Sequence, residues 1–95
     1  MKIDELVPVY VERMPDTIKV GLLYISNDRY ACSHLCACGC GGETYLPLKP
    51  QNQDGWDLTE KEGGIVTLRP SIGNWKGQNP YHAHYYITNN KIEWL

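Results

Sequence analysis

The sequence predicts an all-β fold, a small antiparallel sandwich or open barrel, with residues 1–95 as one domain. Three observations support this prediction. The apolar runs are short, and Gly, Pro and Asn separate them, as is typical of strands joined by turns. No window of about eleven residues or more repeats its apolar positions with the helical period. The aromatic residues are seven Tyr and three Trp with no Phe, and these rings suit half-buried strands.

Short apolar runs predict the individual strands, and turn-forming residues bound each run. In VPVYVE, apolar and polar residues alternate, which is the pattern of a strand with one buried face. The predicted strands cover residues 7–12, 21–26, 30–36, 44–48, 56–59, 65–68, 81–88 and 91–94.

Paired turn residues predict where the chain reverses. Asn27-Asp28, Gly63-Gly64 and Asn89-Asn90 each stand between two predicted strands. Residues 70–80 (PSIGNWKGQNP) contain so many strand breakers that we predict irregular structure there. A single short helical turn is compatible with residues 16–19 or 57–62.

The charge and hydropathy of the chain exclude two classes of partner. The formal net charge is −2 and the isoelectric point is about 5.8, so the chain lacks the positive charge that attracts nucleic acid or an anionic membrane. The longest apolar run, VGLLYI, is too short to cross a bilayer. Asp4 and Glu5 stand where a secretory signal would carry apolar residues, so we expect a cytoplasmic protein.

The stretch HLCACGCGG concentrates cysteine and glycine in one segment, and four cysteines and His34 occupy every second position from Cys32 to Cys40. On one straight strand all five side chains would share a face, and the two ends would lie about 26 Å apart. A zinc–sulfur bond is about 2.3 Å long, so no single ion could reach both ends. To bind a metal the chain must fold back, and the glycines of this stretch permit such a turn.

Three interpretations of this loop are open: buried apolar thiols, a redox pair, or a metal site. Reducing conditions in the cytoplasm disfavour a disulfide. A loop with this many glycines is unusual in a core, which disfavours buried apolar thiols. We therefore predict that Cys36, Cys38 and Cys40 bind Zn²⁺. The candidates for the fourth ligand are Cys32, His34, His82 and His84, although His34 is alternatively a packed core residue.

A second group of polar residues follows in TLRPSIGNW and HAHYY. Ser71 comes directly after a predicted strand, and His82 and His84 share one face of the next strand. A serine beside a histidine is a nucleophile pair, so Ser71 and one of these histidines are candidates for catalysis. Two other interpretations remain: a serine that only stabilises a turn, and a histidine pair that binds a metal. Asp54, Asp57 and Glu93 are the carboxylates that could orient the histidine.

The motifs, taken in order, resemble a bacterial domain of unknown function, family 6527. The similarity runs over most of the chain, from about residue 9 to residue 95, through MPDTIKVGLLYIS, HLCACGCGG, a lone Trp, VTLRPSIGNW and K-I-E-W. The motifs C-x-C-G-C-G and P-S-I-G-N-W are specific when both occur. The resemblance implies a small zinc-binding β protein, and some members are linked to bacterial ubiquitin-like conjugation operons and phage defence.

The same resemblance implies a peptidase that uses serine as its nucleophile. It points to Ser71 and His84 as catalytic residues and to a protein partner or substrate, with a ubiquitin-like protein as one candidate. The family usually reads P-C-x-S-H-Y, where this chain has Tyr81 in place of the cysteine and Ala83 in place of the serine. Tyr81 thus removes a natural fourth zinc ligand. If the nucleophile were the serine that Ala83 replaces, the chain would be inactive.

Two functions follow as hypotheses. The first is a zinc-stabilised serine peptidase in which Ser71 attacks a carbonyl, His84 is the general base, and main-chain amides of residues 72–74 stabilise the oxyanion. The second is a non-enzymatic zinc-binding β module for protein–protein interaction. The second predicts a closed four-ligand metal site and no Ser–His contact. A metal-dependent hydrolase with His82 and His84 as ligands is a third alternative.

Overall fold

Two four-stranded β-sheets pack against each other in the computed structural model, which describes the main chain of residues 2–76 and 79–95 and the side chains of residues 2–73 and 83–95. The described residues contain no helix, which confirms the all-β prediction. Each sheet has two edge strands, so the architecture is an open sandwich and not a closed barrel. The strands are β1 (Val7–Val11), β2 (Leu22–Ser26), β3 (Ala31–Leu35), β4 (Glu43–Pro47), β5 (Asp57–Lys61), β6 (Ile65–Lys76), β7 (Asn79–Thr88) and β8 (Lys91–Trp94).

The first sheet has the order β1-β2-β3-β4 and departs from the prediction in one pairing. β1 and β2 are parallel, whereas the sequence predicted an antiparallel sandwich or open barrel. Residues 12–21 are the reason, because they return the chain to the start of β1 instead of forming a hairpin. Part of this connection lies over the outer face of β2, where the Lys19 N–H donates a hydrogen bond to the Tyr24 hydroxyl at 3.1 Å. β2 is therefore covered on both faces, which explains its continuous apolar run.

The second sheet has the order β5-β6-β7-β8 and is antiparallel throughout. Residues 62–64, which include Gly63 and Gly64, join β5 to β6, and Asn89 and Asn90 join β7 to β8. Gly63, Gly64, Asn89 and Asn90 all have positive φ angles, which tight turns of twisted hairpins favour, so both turn predictions are confirmed. The Asn90 side chain links the two turns, because it accepts from the Val66 N–H and donates to the Gly64 carbonyl.

β6 and β7 are longer than predicted. Residues 70–80 were expected to be irregular, but residues 70–76 continue β6 and β7 begins at Asn79. Pro70 fits because the ladder between β6 and β7 shifts register between Leu68 and Ile72, so no ladder hydrogen bond is needed at that position. The helical turn considered for residues 57–62 is wrong, since residues 57–61 form β5.

The core lies between the sheets and is built from the inward faces of both. Its largest members include Leu23, Ile25 and Cys32 from the first sheet and Leu68, Ile72, Tyr85 and Ile87 from the second. In the part of the chain that is described, no helix is long and apolar enough to cross a membrane.

Candidate functional site

β7 presents different chemistry on its two faces. Ala83, Tyr85 and Ile87 point into the core and are at most 2 % exposed. His84 lies between them in the sequence and therefore points to the outer face of the sheet, where it is only half-buried. One strand thus places a histidine towards solvent directly beside a tyrosine in the core.

The register shift in β6 brings Ser71 to this histidine. From the Leu68–Ile87 pair to the Ile72–Tyr85 pair, β6 advances four residues while β7 advances two. Such a bulge redirects the side chains within it. The Ser71 Oγ atom lies 2.9 Å from the His84 Nε2 atom, which is hydrogen-bond distance. The distance and the partner atom are those of a nucleophile with its general base.

The position of Ala83 bears on the choice of nucleophile. Its side chain is 2 % exposed and faces the core, on the opposite side of β7 from His84. A serine at position 83 would therefore point into the core in this register. Ser71, in contrast, is half-buried at the outer face and already contacts the histidine.

The three candidate carboxylates lie at different places on the protein surface. Glu93 is 3.8 Å from the Arg69 Nη2 atom, and Asp57 is 3.9 Å from the Lys49 Nζ atom. Asp54 lines a surface cavity beside Trp56. Glu93 pairs with Tyr86 on β7, so its carboxylate is on the same outer face as His84.

The ladder also determines which main-chain amides near Ser71 point outwards. The Leu95 N–H donates to the His84 carbonyl at 3.0 Å, so the main-chain groups of His84 face away from β6. Its partner Gly73 therefore faces away from β7, because both members of such an antiparallel pair turn their N–H and C=O groups outwards. The Ile72 and Asn74 amides face β7. Of the three amides predicted as oxyanion donors, that of Gly73 therefore points away from β7, towards the open side of β6.

The cysteine loop folds back as the glycines of its sequence predicted. Gly39 and Gly41 have φ angles of 88° and 83°, a region that favours glycine. Two hydrogen bonds close the loop: the Cys36 N–H donates to the Gly42 carbonyl at 2.7 Å, and the Gly39 N–H donates to the Cys36 carbonyl at 3.0 Å. The Gly42 N–H also points at the Cys40 sulfur, 3.4 Å away.

This fold-back gathers three thiols. The Sγ atoms of Cys36, Cys38 and Cys40 all lie within 4.8 Å of one another, and those of Cys36 and Cys38 are 3.3 Å apart. Around a tetrahedral zinc ion with bonds of about 2.3 Å, sulfurs lie roughly 3.8 Å apart, so the cluster fits a zinc ion. The four cysteines of the chain, all of them described, form no disulfide. The loop can therefore hold a metal ion through three soft thiolate ligands.

Two of the candidate fourth ligands lie outside this cluster. Cys32 is fully buried in the core, and burial raises the pKa of its thiol to about 12. His34 is also fully buried, and its Nε2 atom lies 2.6 Å from the Tyr85 hydroxyl. Burial lowers the pKa of His34 to about 4. The side chains of His82 and Tyr81 lie outside the described residues.

The contacts of Tyr85 were not predicted from the sequence. Its hydroxyl bonds His34 and lies 3.4 Å from the Ala37 N–H in the cysteine loop. The buried ring also packs edge-on against Trp94, with ring centroids 5.2 Å apart. The sequence signal for a buried Tyr85 is its position directly after His84. Successive side chains on a strand point to opposite faces, so the residue after an outward histidine points into the core.

A model of the family described as "Bacterial ubiquitination-like system serine protease (BubE)" matches residues 10–95 of the chain. No curated protein and no solved structure matches the chain. The motifs indicated a connection with a bacterial ubiquitin-like system, and the match supports it. The description of the matching family does not include the family number 6527.

Proposed function

The chain belongs to the bacterial ubiquitination-like system serine protease (BubE) family, and on this premise we propose that it is a zinc-stabilised serine peptidase. Its substrate is a ubiquitin-like or other small protein. The observation that carries the proposal is the contact of 2.9 Å between Ser71 Oγ and His84 Nε2 at the outer face of the second sheet.

In the proposed reaction, the Ser71 oxygen attacks the carbonyl carbon of the scissile peptide bond while His84 Nε2 takes the serine proton. The tetrahedral intermediate then collapses, the carbon–nitrogen bond breaks, and His84 gives the proton to the leaving amine. Water hydrolyses the resulting ester, again with His84 as the base, and Ser71 regains its proton.

The proposed metal is Zn²⁺, and its role is structural. Cys36, Cys38 and Cys40 would hold it, and a fourth ligand would complete a closed tetrahedral site. Such an ion fixes the fold-back of the loop, and the reaction needs no step at the metal. Because the Ala37 N–H in this loop lies 3.4 Å from the Tyr85 hydroxyl, the loop also supports the strand that carries His84.

The competing function is a zinc-binding β module without catalysis. That hypothesis predicts no contact between serine and histidine, so the distance of 2.9 Å favours the peptidase. In the metal-dependent alternative, His84 would have to bind the ion through Nδ1, because its Nε2 atom contacts Ser71. A protein remains the partner or substrate in each of the first two hypotheses.

Cleavage by a Ser71→Ala variant tests the proposal. The substrate is a ubiquitin-like protein of such a bacterial system with a short extension beyond its C-terminus, and cleavage is followed by mass spectrometry. We expect the substitution to reduce cleavage by roughly 10⁴-fold or more, because the nucleophile is lost. Zinc content and melting temperature should stay unchanged.

Ser33→Ala is the matched control, since Ser33 is a buried serine remote from His84 in sequence and on the other sheet. Its cleavage rate should equal that of the unsubstituted protein. Cleavage that persists in the Ser71→Ala variant contradicts the proposed mechanism.

A further inference from the structure

β6 has an open edge beside Ser71. Its ladder with β5 ends at the Asp57–Arg69 pair, whereas the strand itself continues to Lys76. Among the residues that the structure describes, no strand pairs with residues 70–76 on the side away from β7. An edge of this kind offers main-chain donors and acceptors to another extended chain.

The hydrogen-bonding groups at this edge can be identified from the ladder. The Ser71 carbonyl accepts from the Trp56 indole N–H at 3.4 Å, so the first outward acceptor already has a partner. The next outward residue is Gly73, whose N–H and C=O both face the open side. No described residue forms a hydrogen bond with either group at that side. Glycine in a strand also lets another backbone approach closely, since it has no side chain.

We propose that this edge binds an extended segment of the substrate as an additional β-strand, through the N–H and C=O of Gly73. The proposal rests on the peptidase function, because it explains how a peptide bond reaches Ser71. Main-chain hydrogen bonds recognise an extended conformation and not a particular side chain. The substrate class is therefore an extended protein segment, such as a tail or linker, and a helical or folded segment does not fit.

A surface cavity lies at the beginning of the open edge and suits one side chain of the bound segment. Its volume is about 280 Å³, and its lining includes Pro70, which precedes Ser71, together with Trp56 and Lys49. A strand hydrogen-bonded to Gly73 would run beside β6, past Ser71 and towards this cavity. It would lie in line with β5, which pairs with β6 as far as Arg69. The edge supplies the alignment, and the cavity receives a side chain next to the nucleophile.

Amide NMR of the full-length Ser71→Ala variant tests the proposal without cleavage. The probe is a capped peptide of alternating threonine and valine residues, flanked by lysines for solubility. We expect the Gly73 amide resonance to shift on titration and its hydrogen exchange to slow by about tenfold or more at saturation. The Ile72 amide already faces β7, so its exchange should change little. The control peptide has the same sequence with every internal amide methylated, and it should leave Gly73 unchanged.

The proposal is overturned if Gly73 does not respond, or if the responses are confined to other edge strands such as β4 and β8. An equal response to the methylated peptide also overturns it, since that peptide cannot donate main-chain hydrogen bonds. Labelling of the unsubstituted protein with a small fluorophosphonate separates this result from the proposed function. A label on Ser71 without a Gly73 response rejects the edge and keeps the peptidase. A Gly73 response without a label keeps the edge as a peptide site and rejects the peptidase.

Discussion

Two histidine–hydroxyl pairs lie on opposite faces of the same strand. On the inner face of β7, Tyr85 bonds His34 at 2.6 Å. On the outer face, the neighbouring residue His84 contacts Ser71 at 2.9 Å. The two pairs have similar chemistry and similar lengths, and they differ in their access to solvent.

Burial gives the two pairs different properties. His34 is fully buried, and its pKa falls to about 4, because the core does not solvate an imidazolium ion. It therefore stays neutral, and no substrate can reach it. His84 is half-buried at the surface, where Ser71 can meet a peptide bond. The comparison shows that location, and not the residue pair itself, separates a structural contact from a candidate active site.

Removal of the metal should have the largest effect on the stability of the protein. It should disturb the inner pair, Tyr85 and His34. The cysteine loop reaches Tyr85 through the Ala37 N–H, so an unfolded loop exposes the core beneath it. Structural zinc sites contribute on the order of 10 kcal/mol to folding, so we expect a strong chelator to release one zinc per chain and unfold the protein. Circular dichroism with metal analysis measures both. A chain that melts at the same temperature after chelation contradicts the structural role.

His84→Ala should remove the function of the outer pair without affecting the fold. Loss of the general base should reduce cleavage by about 10⁴-fold, which corresponds to about 5.5 kcal/mol of transition-state stabilisation. The side chain is half-buried at the outer face, so the free energy of unfolding should change by less than about 1 kcal/mol. Kinetics and urea denaturation of the same sample provide the two values. Equal rates for variant and parent exclude His84 as the base.

Tyr85→Phe should have the smallest effect and should show the opposite pattern. It removes the hydroxyl that His34 and Ala37 contact, and a buried polar group without its partner costs about 1–3 kcal/mol. We expect a decrease of that size in the free energy of unfolding, with kcat nearly unchanged. Tyr86→Phe removes a hydroxyl from the outer face and is the matched control, with an expected change below about 0.5 kcal/mol. A Tyr85→Phe variant as stable as the control contradicts the role of the inner pair.

The local features of the fold were predictable because local sequence determines them. Gly63-Gly64 and Asn89-Asn90 specify tight turns, and the glycines of the cysteine loop specify its fold-back. The parallel pairing of β1 with β2 was not predictable, since it depends on how residues 12–21 cross the sheet. The continuation of β6 through Pro70 was missed for the same kind of reason, because a bulge between two long-range partners accommodates the proline.

The candidate site shows the same division. Ser71, His84 and the three clustered cysteines stood out by residue type and spacing. The contacts of Tyr85 and the outward direction of the Gly73 amide did not, because each depends on which way a neighbouring strand turns it. Residue types identify chemistry, and the register determines which face of the sheet carries it.

Labelling with a fluorophosphonate, followed by peptide mapping in a mass spectrometer, is the most direct test of the outer pair. The reagent modifies serines that a neighbouring base activates. We expect one adduct on Ser71 in the parent protein, no adduct at that residue after His84→Ala, and an unchanged adduct after Tyr85→Phe. A parent protein without an adduct on Ser71, or an adduct that survives the loss of His84, contradicts the claim that this pair is catalytic.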